Sequence, residues 1–296
     1  MILTFENIIG TLISGLNMGA IYAMIALGYT MVYGIAKMLN FAHGDVIMVG
    51  TYIVFIFSQK FIGNPFVAIL VAVAFCAILG IVIERIAYKP LRGAPSLAVL
   101  ITAIGVSFLL QSLAQMIFGA DKQQVPLFNW VGFDVFGVTI KIETIVTLSV
   151  AAVIMIALTL FINKSKTGRA MLAVSEDRGA AQLMGVNVNR TIAITFAIGS
   201  GLAAVAGFFM LLNAPNTMPN LGAMPGIKAF VAAVLGGIGS VPGAVLGGIV
   251  IGIVEEFAKI SGVFSVYSDA IVFSILIIVL LVKPTGLLGK KRNEKV

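Results

Sequence analysis

The sequence has little charge and almost none of the residues that catalytic or metal chemistry uses. Only 10% of its 296 residues are Asp, Glu, Lys or Arg, and it has one His and one Cys. His43 has no second His with which to form a metal site or a catalytic pair, and Cys76 cannot form an internal disulfide. Phosphate-binding loops, zinc-protease motifs and nucleophile elbows are missing as well. These absences argue against an enzyme and predict no metal and no bound cofactor.

Hydrophobic residues make up 60% of the chain, far more than in a soluble domain. A helix needs about 20 residues to cross the hydrocarbon of a bilayer. Long continuous runs favour helices, whereas a barrel would show short alternating segments. The sequence therefore predicts an all-α, polytopic membrane bundle. The uncharged runs are Asn7–Ala36, Val46–Gln59, Phe66–Ile83, Pro95–Ala120, Thr144–Ile162, Thr191–Ile227, Ala229–Val254 and Ala270–Val282.

Eight to ten transmembrane segments are expected, some of them broken or re-entrant. The run 229–254 contains "GGIGSVPGAVLGG", and clustered glycines with a proline break or bend a helix. We therefore expect a pair of helices there. Because the polar segments are only loops, residues 1–296 are expected to form one transmembrane domain. Many other glycines lie inside apolar runs, where they either pack helices closely or let helices slide beside a transport path.

The net charge of +7 indicates orientation in a membrane rather than nucleic-acid binding, because the basic residues lie at the ends of apolar runs. The loop 163–190 is the richest in basic residues, followed by 84–94 and the tail "KKRNEKV". Basic loops favour the cytoplasm. This bias predicts that both loops and the C-terminus are cytoplasmic, and that the N-terminus and 121–143 lie outside.

Asn40, His43 and Asp45 form a concentrated polar group in "MLNFAHGDVIMVG", between the first two apolar runs. Ionisable residues at membrane depth are costly, so they are candidates for a translocation path or a gate. The alternative is a tight cytoplasmic turn in which Asp45 caps the following helix.

Asn17, Tyr22 and Tyr29 in the first run are further candidates for the lining of an aqueous path. They would serve equally well to bond neighbouring helices or to lie in an interfacial belt.

The stretch "SEDRGAAQLMG" is a compact polar segment between two apolar runs. Ser175 is a suitable N-cap, the two acidic residues after it favour a first turn, and Gly185 suits a left-handed helix end. They predict a helix over Glu176–Met184. Such a short helix needs something to pack against, and Ala180 and Ala181 permit close docking. The alternative is a solvated connecting loop.

The spacing A-A-x-x-x-G in "GAAQLMG" resembles the cytoplasmic E-A-A-x-x-x-G loop of ABC-importer permeases, with Gly179 in place of the usual Glu. This form of the loop is similar to the variant found in permeases for branched-chain amino acids. "GLNMGAIYAMIALGYTMVYGIAKMLNFAHGDVIMVG" and "GGIGSVPGAVLGG" also resemble that family. The resemblance extends over nearly the whole chain.

This resemblance implies a permease subunit in the inner or plasma membrane of a bacterium or archaeon. Its implied partners are a second related permease, two ATPase subunits that bind ATP and Mg, and an extracytoplasmic solute-binding protein. The residues that it implies for an ATPase-coupling helix are Glu176, Asp177, Arg178, Ala180, Ala181 and Gly185.

Two alternatives stay open at this stage. The same machine could move urea or short amides instead of branched-chain amino acids. A secondary transporter of a different class would use Asp45 and His43 for ion or proton coupling.

Overall fold

Helices dominate the computed structural model, which describes residues 5–61, 64–125, 127, 132–135, 138–260, 262 and 264–289. The α-helices are α1 (Phe5–Ala36), α2 (His43–Ile56), α3 (Pro65–Ile83), α4 (Ser96–Phe118), α5 (Ile142–Lys164), α6 (Lys166–Glu176), α7 (Arg178–Leu183), α8 (Val188–Asn213), α9 (Ala223–Gly236), α10 (Val241–Ile260) and α11 (Ser268–Val282). Phe57–Phe61 and Glu84–Tyr88 continue α2 and α3 as π-helical turns, and Lys89–Leu91 and Ser265–Tyr267 are 3-10 turns. Short antiparallel pairs join β1 (Gln123–Gln124) to β4 (Asn216–Thr217), and β2 (Phe133–Val135) to β3 (Val138–Ile140).

Seven helical segments of the described chain are long and apolar enough to cross a membrane. They confirm the predicted all-α, polytopic class. The helix α9 has 14 residues. It is therefore about 21 Å long, too short to cross a core of about 30 Å alone. The 14 residues of α2 continue into the π-helical turn Phe57–Phe61. The seven segments are Phe5–Ala36, Pro65–Leu91, Ser96–Phe118, Ile142–Lys164, Val188–Asn213, Val241–Ile260 and Ser265–Val282.

The predicted break inside the run 229–254 is confirmed. Residues 237–240 separate α9 from α10. In this connection Gly237 and Gly239 have φ angles of 103° and 94°, which glycine adopts without steric cost. The amide of Leu287 donates to the carbonyl of Leu235 at 2.8 Å, so the end of α9 finds a partner for one of its free carbonyls.

The chain divides into two compact units. Unit 1 consists of Met1–Thr30, Trp130–Met155 and Lys228–Val296, and unit 2 consists of Met31–Asn129 and Ile156–Ile227. Unit 1 contains α10, α11 and the part of α9 from Lys228 onward, and unit 2 contains α2 to α4 and α6 to α8. That residues 1–296 work as one transmembrane domain stays a prediction.

Glycines bring α1 and α10 together inside unit 1. A Cβ added to Gly19 would lie 2.7 Å from the Cα of Ile249, and one added to Gly15 would lie 2.8 Å from the Cα of Ile253. Backbones this close leave no room for a side chain. Close contact through small residues holds helices together in lipid, which supports the packing interpretation for these two glycines.

Unit 2 is built around α2, α3 and α8. A Cβ on Gly50 would lie 2.9 Å from the Cα of Ala204, so α2 and α8 also meet through small residues. Cys76 is fully buried, with Sγ 3.7 Å from the carbonyl oxygen of Val46. It packs in the core as a small apolar side chain. α2 thus buries polar side chains as well as apolar ones, among them Asp45.

Candidate functional site

The segment 163–190 contains two helices where the sequence predicted one. Ser175 does not cap a helix; it lies in the last turns of α6, and its Oγ donates to the carbonyl of Leu172 at 2.7 Å. Asp177 is the N-cap of α7, and its Oδ1 accepts from the amide of Ala180 at 2.9 Å. The predicted helix Glu176–Met184 is therefore wrong at its start. Asp177 has an extended backbone, with φ −151° and ψ 118°, and this interrupts the helix.

The predicted end of this helix is confirmed. Gly185 has a φ of 82°, in the left-handed region. Its amide donates to the carbonyl of Gln182, and the amide of Val186 donates to the carbonyl of Ala181, both at 3.0 Å. These bonds satisfy the last carbonyls of α7, as is typical of a glycine-terminated helix.

Ala180 and Ala181 do not share an exposed docking face. Ala181 is buried, with 3% of its surface exposed, whereas Ala180 is exposed. Neighbouring residues on a helix point about 100° apart, which is why one alanine packs inward and the next does not. The exposed apolar surface of this segment is instead formed by Leu183 and Met184, which are 89% and 84% exposed.

Arg178 ties α7 to the rest of unit 2. Its guanidinium donates to the carbonyl of Ala36, the last residue of α1. Burial lowers the pKa of Arg178, and the positive charge of Arg92 lowers that pKa further. Arg178 is thus committed to a contact within the chain, whereas Glu176 and Asp177 are exposed.

A buried charged cluster in unit 1 was not predicted from the sequence. Glu255 lies at its centre, and its Oε1 is 2.9 Å from Nζ of both Lys228 and Lys259. Its Oε2 accepts from the hydroxyl of Tyr22 at 2.7 Å. Lys228 also pairs with Asp269 at 2.6 Å. Lys228, a single charged residue between two apolar runs, could have indicated this cluster, because charged residues inside membrane segments are rare and usually form ion pairs.

The other candidates of α1 in unit 1 have different surroundings. The ring of Tyr29 packs edge-on against Phe230, with 5.8 Å between the ring centroids. Asn17 is buried, and its Oδ1 accepts no hydrogen bond from a described residue. Asn17 and Tyr22 are thus buried polar groups within unit 1, and only Tyr22 reaches the charged cluster.

In unit 2 the three candidates of 38–50 are all buried. Asn40 accepts from the hydroxyl of Tyr88 at 2.9 Å. Asp45 accepts from Nε2 of Gln111 at 2.8 Å. His43 is the first residue of α2. Asp45 is not the N-cap of α2, because that position is held by Ala42; it lies in the first turn, where its carboxyl group meets the positive end of the helix dipole.

The described residues contain no group of three or more His, Cys, Asp or Glu side chains that could hold a metal ion. The buried polar side chains form ion pairs and hydrogen bonds instead. The cluster around Glu255 lies in unit 1, and the hydrogen-bonded residues Asn40 and Asp45 lie in unit 2. Seven apolar spans with buried polar groups on several helices define a multi-pass membrane protein with the polar interior of a transport protein.

Comparison with known proteins identifies the family. A family model described as the permease component of branched-chain amino acid transport systems matches residues 11–280. The high-affinity branched-chain amino acid transport system permease protein BraD of Pseudomonas aeruginosa is 44% identical over 299 residues, 96% of this chain and 97% of BraD. The corresponding protein LivH of Escherichia coli K12 is 44% identical over 96% of each chain. A probable LivH of Methanocaldococcus jannaschii is 31% identical over 90% of this chain and 88% of that protein.

The chain therefore belongs to the family of branched-chain amino acid transport system permease components. The matched range includes the broken pair α9 and α10 and the segment 163–190. The resemblance expected from the sequence motifs is confirmed.

Proposed function

We propose that this chain is the membrane-spanning permease subunit of a binding-protein-dependent ABC importer that moves branched-chain amino acids into the cytoplasm. One observation carries the proposal: 44% identity, over 96% of the chain, to a protein named as a high-affinity permease for these amino acids. Identity at this level over almost the whole length supports a common transport role. It includes the helices that contain the buried polar residues.

The chain is proposed to work with other subunits. These are a second related permease, two ATP-binding subunits that hold ATP and Mg, and an extracytoplasmic solute-binding protein. The sequence has no phosphate-binding loop of its own, so a chain that binds ATP must be a separate one. The transport subunit itself is proposed to have no enzymatic activity and no cofactor.

α7 is proposed to be the coupling helix that receives force from an ATP-binding subunit. Leu183 and Met184 are almost fully exposed in water-accessible positions beyond the spans, an arrangement that is costly unless a partner covers them. Asp177 at the start of α7 and Gly185 at its end give the short helix defined ends. Glu176, Asp177 and Ala180 lie exposed beside the apolar pair, whereas Arg178 and Ala181 are proposed to hold the helix in place.

The segments 84–94 and 163–190 are proposed to be cytoplasmic, with the N-terminus and 121–143 outside, in the cell membrane of a bacterium or archaeon. The basic residues of the two inner segments support this orientation. The basic tail 290–296 lies outside the described residues. Labelling of single cysteines in a Cys76→Ser background tests the orientation, and labelling of a cysteine at 176 from outside intact cells would contradict it.

The function is tested in proteoliposomes that contain this chain, its partner permease, the ATP-binding subunits and the binding protein. We expect uptake of radiolabelled leucine into the proteoliposomes. This uptake should require ATP on the side of the membrane on which the ATP-binding subunits lie. Unlabelled isoleucine and valine should compete, whereas urea and acetamide should not. Competition by the amides alone would identify the substrate as an amide. Uptake driven by a proton gradient without ATP would support a secondary transporter instead.

The coupling role is tested with the double variant Leu183→Asp, Met184→Asp. Two buried apolar side chains contribute about 1.5–3 kcal/mol each to an interface, so at least a tenfold loss of ATPase co-purification is expected. Asn163→Asp, an exposed position at the start of the same segment, is the matched control and should behave as wild type. If both variants retain the ATPases and couple hydrolysis to uptake, the segment is only a connector.

A further inference from the structure

A cationic cleft lies in unit 2 at the ends of two spans, and neither the buried polar pairs nor α7 makes use of it. Its volume is about 560 Å³, and it is lined by the end of the span Pro65–Leu91 and the start of the span Val188–Asn213. Arg85, Lys89 and Arg190 line it. All three are exposed, and none forms an ion pair with any residue that the structure describes.

The acidic side chain of the cleft does not cancel these charges. Glu84 is buried and pairs with Arg92, so its charge is already matched. Arg92 also donates to Oδ1 of Asn189, which joins the two sides of the cleft. Three exposed cations therefore lie around a shared cleft whose one carboxylate is occupied.

The other side of the cleft is apolar. Ile81, Ala193 and Ile194 line it. Ala193 and Ile194 lie between one and two turns into the span Val188–Asn213, and Ile81 lies almost three turns from the end of the span Pro65–Leu91. The cleft thus changes from cationic to apolar in the direction in which a membrane changes from headgroups to hydrocarbon. A soluble anion would gain nothing from the apolar wall, whereas a lipid would use both parts.

We propose that this cleft binds the headgroup of an anionic phospholipid, with the start of an acyl chain against Ile81 and Ile194. The phosphate would lie among Arg85, Lys89 and Arg190, which can donate charge-assisted hydrogen bonds to its oxygens. The first turn of α8 adds the positive end of a helix dipole on the same side. Zwitterionic lipids have no net charge to match the three cations and bind more weakly.

The experiment uses the full-length chain in detergent micelles, titrated with phosphatidylglycerol or phosphatidylcholine, with bound lipid counted by native mass spectrometry. We expect tighter binding of phosphatidylglycerol. Near a membrane surface each basic residue contributes about fivefold to the affinity for anionic lipid. The variant Arg85→Gln, Lys89→Gln, Arg190→Gln should therefore bind phosphatidylglycerol on the order of a hundredfold more weakly.

The matched control is Lys164→Gln, Lys166→Gln, Arg169→Gln, which removes three exposed cations of the same unit outside the cleft. It should keep the affinity of the wild type. A charge-conserving variant, Arg85→Lys, Lys89→Arg, Arg190→Lys, should also bind, and it separates loss of charge from loss of folding. Equal losses in the cleft variant and the control would overturn the proposal.

Three further outcomes would also overturn it. Equal affinity of the wild type for the two lipids would show that charge does not select the ligand. Inhibition of lipid binding by millimolar inorganic phosphate, with phosphate itself bound as tightly, would identify a site for soluble anions. If the cleft variant kept its lipid but lost its ATP-binding subunits, the cleft would be a protein-docking surface.

Discussion

Unit 1 buries a cluster of ion pairs that share one carboxylate, whereas unit 2 buries its polar groups in separate pairs. In unit 1, Glu255 meets two lysines and a tyrosine hydroxyl around one carboxylate. In unit 2, Asp45 meets the amide of Gln111 and Glu84 pairs with Arg92, while two further pairs join neutral hydroxyl and amide groups. Both arrangements give these buried groups a partner. The difference is that one carboxylate in unit 1 interacts with two lysines, whereas each pair in unit 2 stands by itself.

This difference predicts how each unit responds to the loss of a partner. When one member of a buried ion pair is removed, the other charge is left in a medium that solvates it poorly. The loss of one neutral donor leaves a smaller penalty. The charged cluster of unit 1 should therefore be the more sensitive to single substitutions, and the pairs of unit 2 that have a neutral donor the more tolerant.

The largest effect is expected for Lys228→Met in unit 1. Lys228 is almost fully buried and pairs with both Glu255 and Asp269. Its removal should lower the free energy of unfolding by about 3 kcal/mol, because Glu255 keeps only Lys259 and Tyr22. Unfolding of the purified chain by SDS in mixed micelles measures this loss.

Lys259→Met is the control for that variant, since Lys259 pairs with the same carboxylate but its side chain is 42% exposed. Its cost should be below about 1 kcal/mol. Addition of Glu255→Gln to Lys228→Met should restore part of the stability, because the unmatched charge is then gone. Equal losses for both lysine variants would show that burial does not distinguish them.

A smaller effect is expected for Gln111→Leu in unit 2. The variant removes the amide that donates to Asp45 and should cost about 1.5 kcal/mol, the contribution of a hydrogen bond to a charged group. Asp45→Asn keeps an oxygen that accepts the same bond and should cost less. The same SDS titration measures both, and a loss above that of Lys228→Met would reverse the order of the two units.

Gly185→Val tests the surface end of unit 2. A β-branched residue resists the left-handed conformation that Gly185 adopts, so a cost of about 1 kcal/mol is expected at the end of α7. This strain should weaken co-purification of the ATP-binding subunits while membrane insertion is unchanged. Gly185→Asn is the control, since Asn tolerates this conformation; unchanged coupling in the Val variant would argue against a role for the helix end.

The smallest effect is expected for transport by Asp45→Asn and His43→Gln. Both residues are buried in unit 2, and we expect a structural or gating role rather than proton relay. ATP-driven leucine uptake, corrected for expression, should stay within about twofold of wild type, as expected for a cost below about 0.5 kcal/mol. Abolished uptake in either variant, together with uptake driven by a proton gradient, would indicate ion coupling.

Several features could be predicted because they depend on residues close together in the chain. The apolar runs predicted the spans, the glycines of 236–248 predicted the break between α9 and α10, and Gly185 predicted a left-handed helix end. The start of α7 was missed, since both Ser175 and Asp177 are good caps. Which of the two residues caps α7 depends on α6. That helix begins at its own cap, Ser165, and extends to Glu176, so Ser175 lies inside it and Asp177 becomes the cap.

The sequence by itself determined the membrane class, the family and the positions where helices break, because hydropathy, glycine conformation and motif spacing are local properties. Only the tertiary structure decided which polar groups become partners. Tyr22 and Glu255 are 233 positions apart, and Lys228 reaches the same carboxylate from another helix. The burial of Ala181 beside an exposed Ala180 was decided in the same way. Such pairings depend on contacts between helices that are distant in sequence. The free energy of burying a charge depends on which partner lies next to it, and helix packing decides that partner.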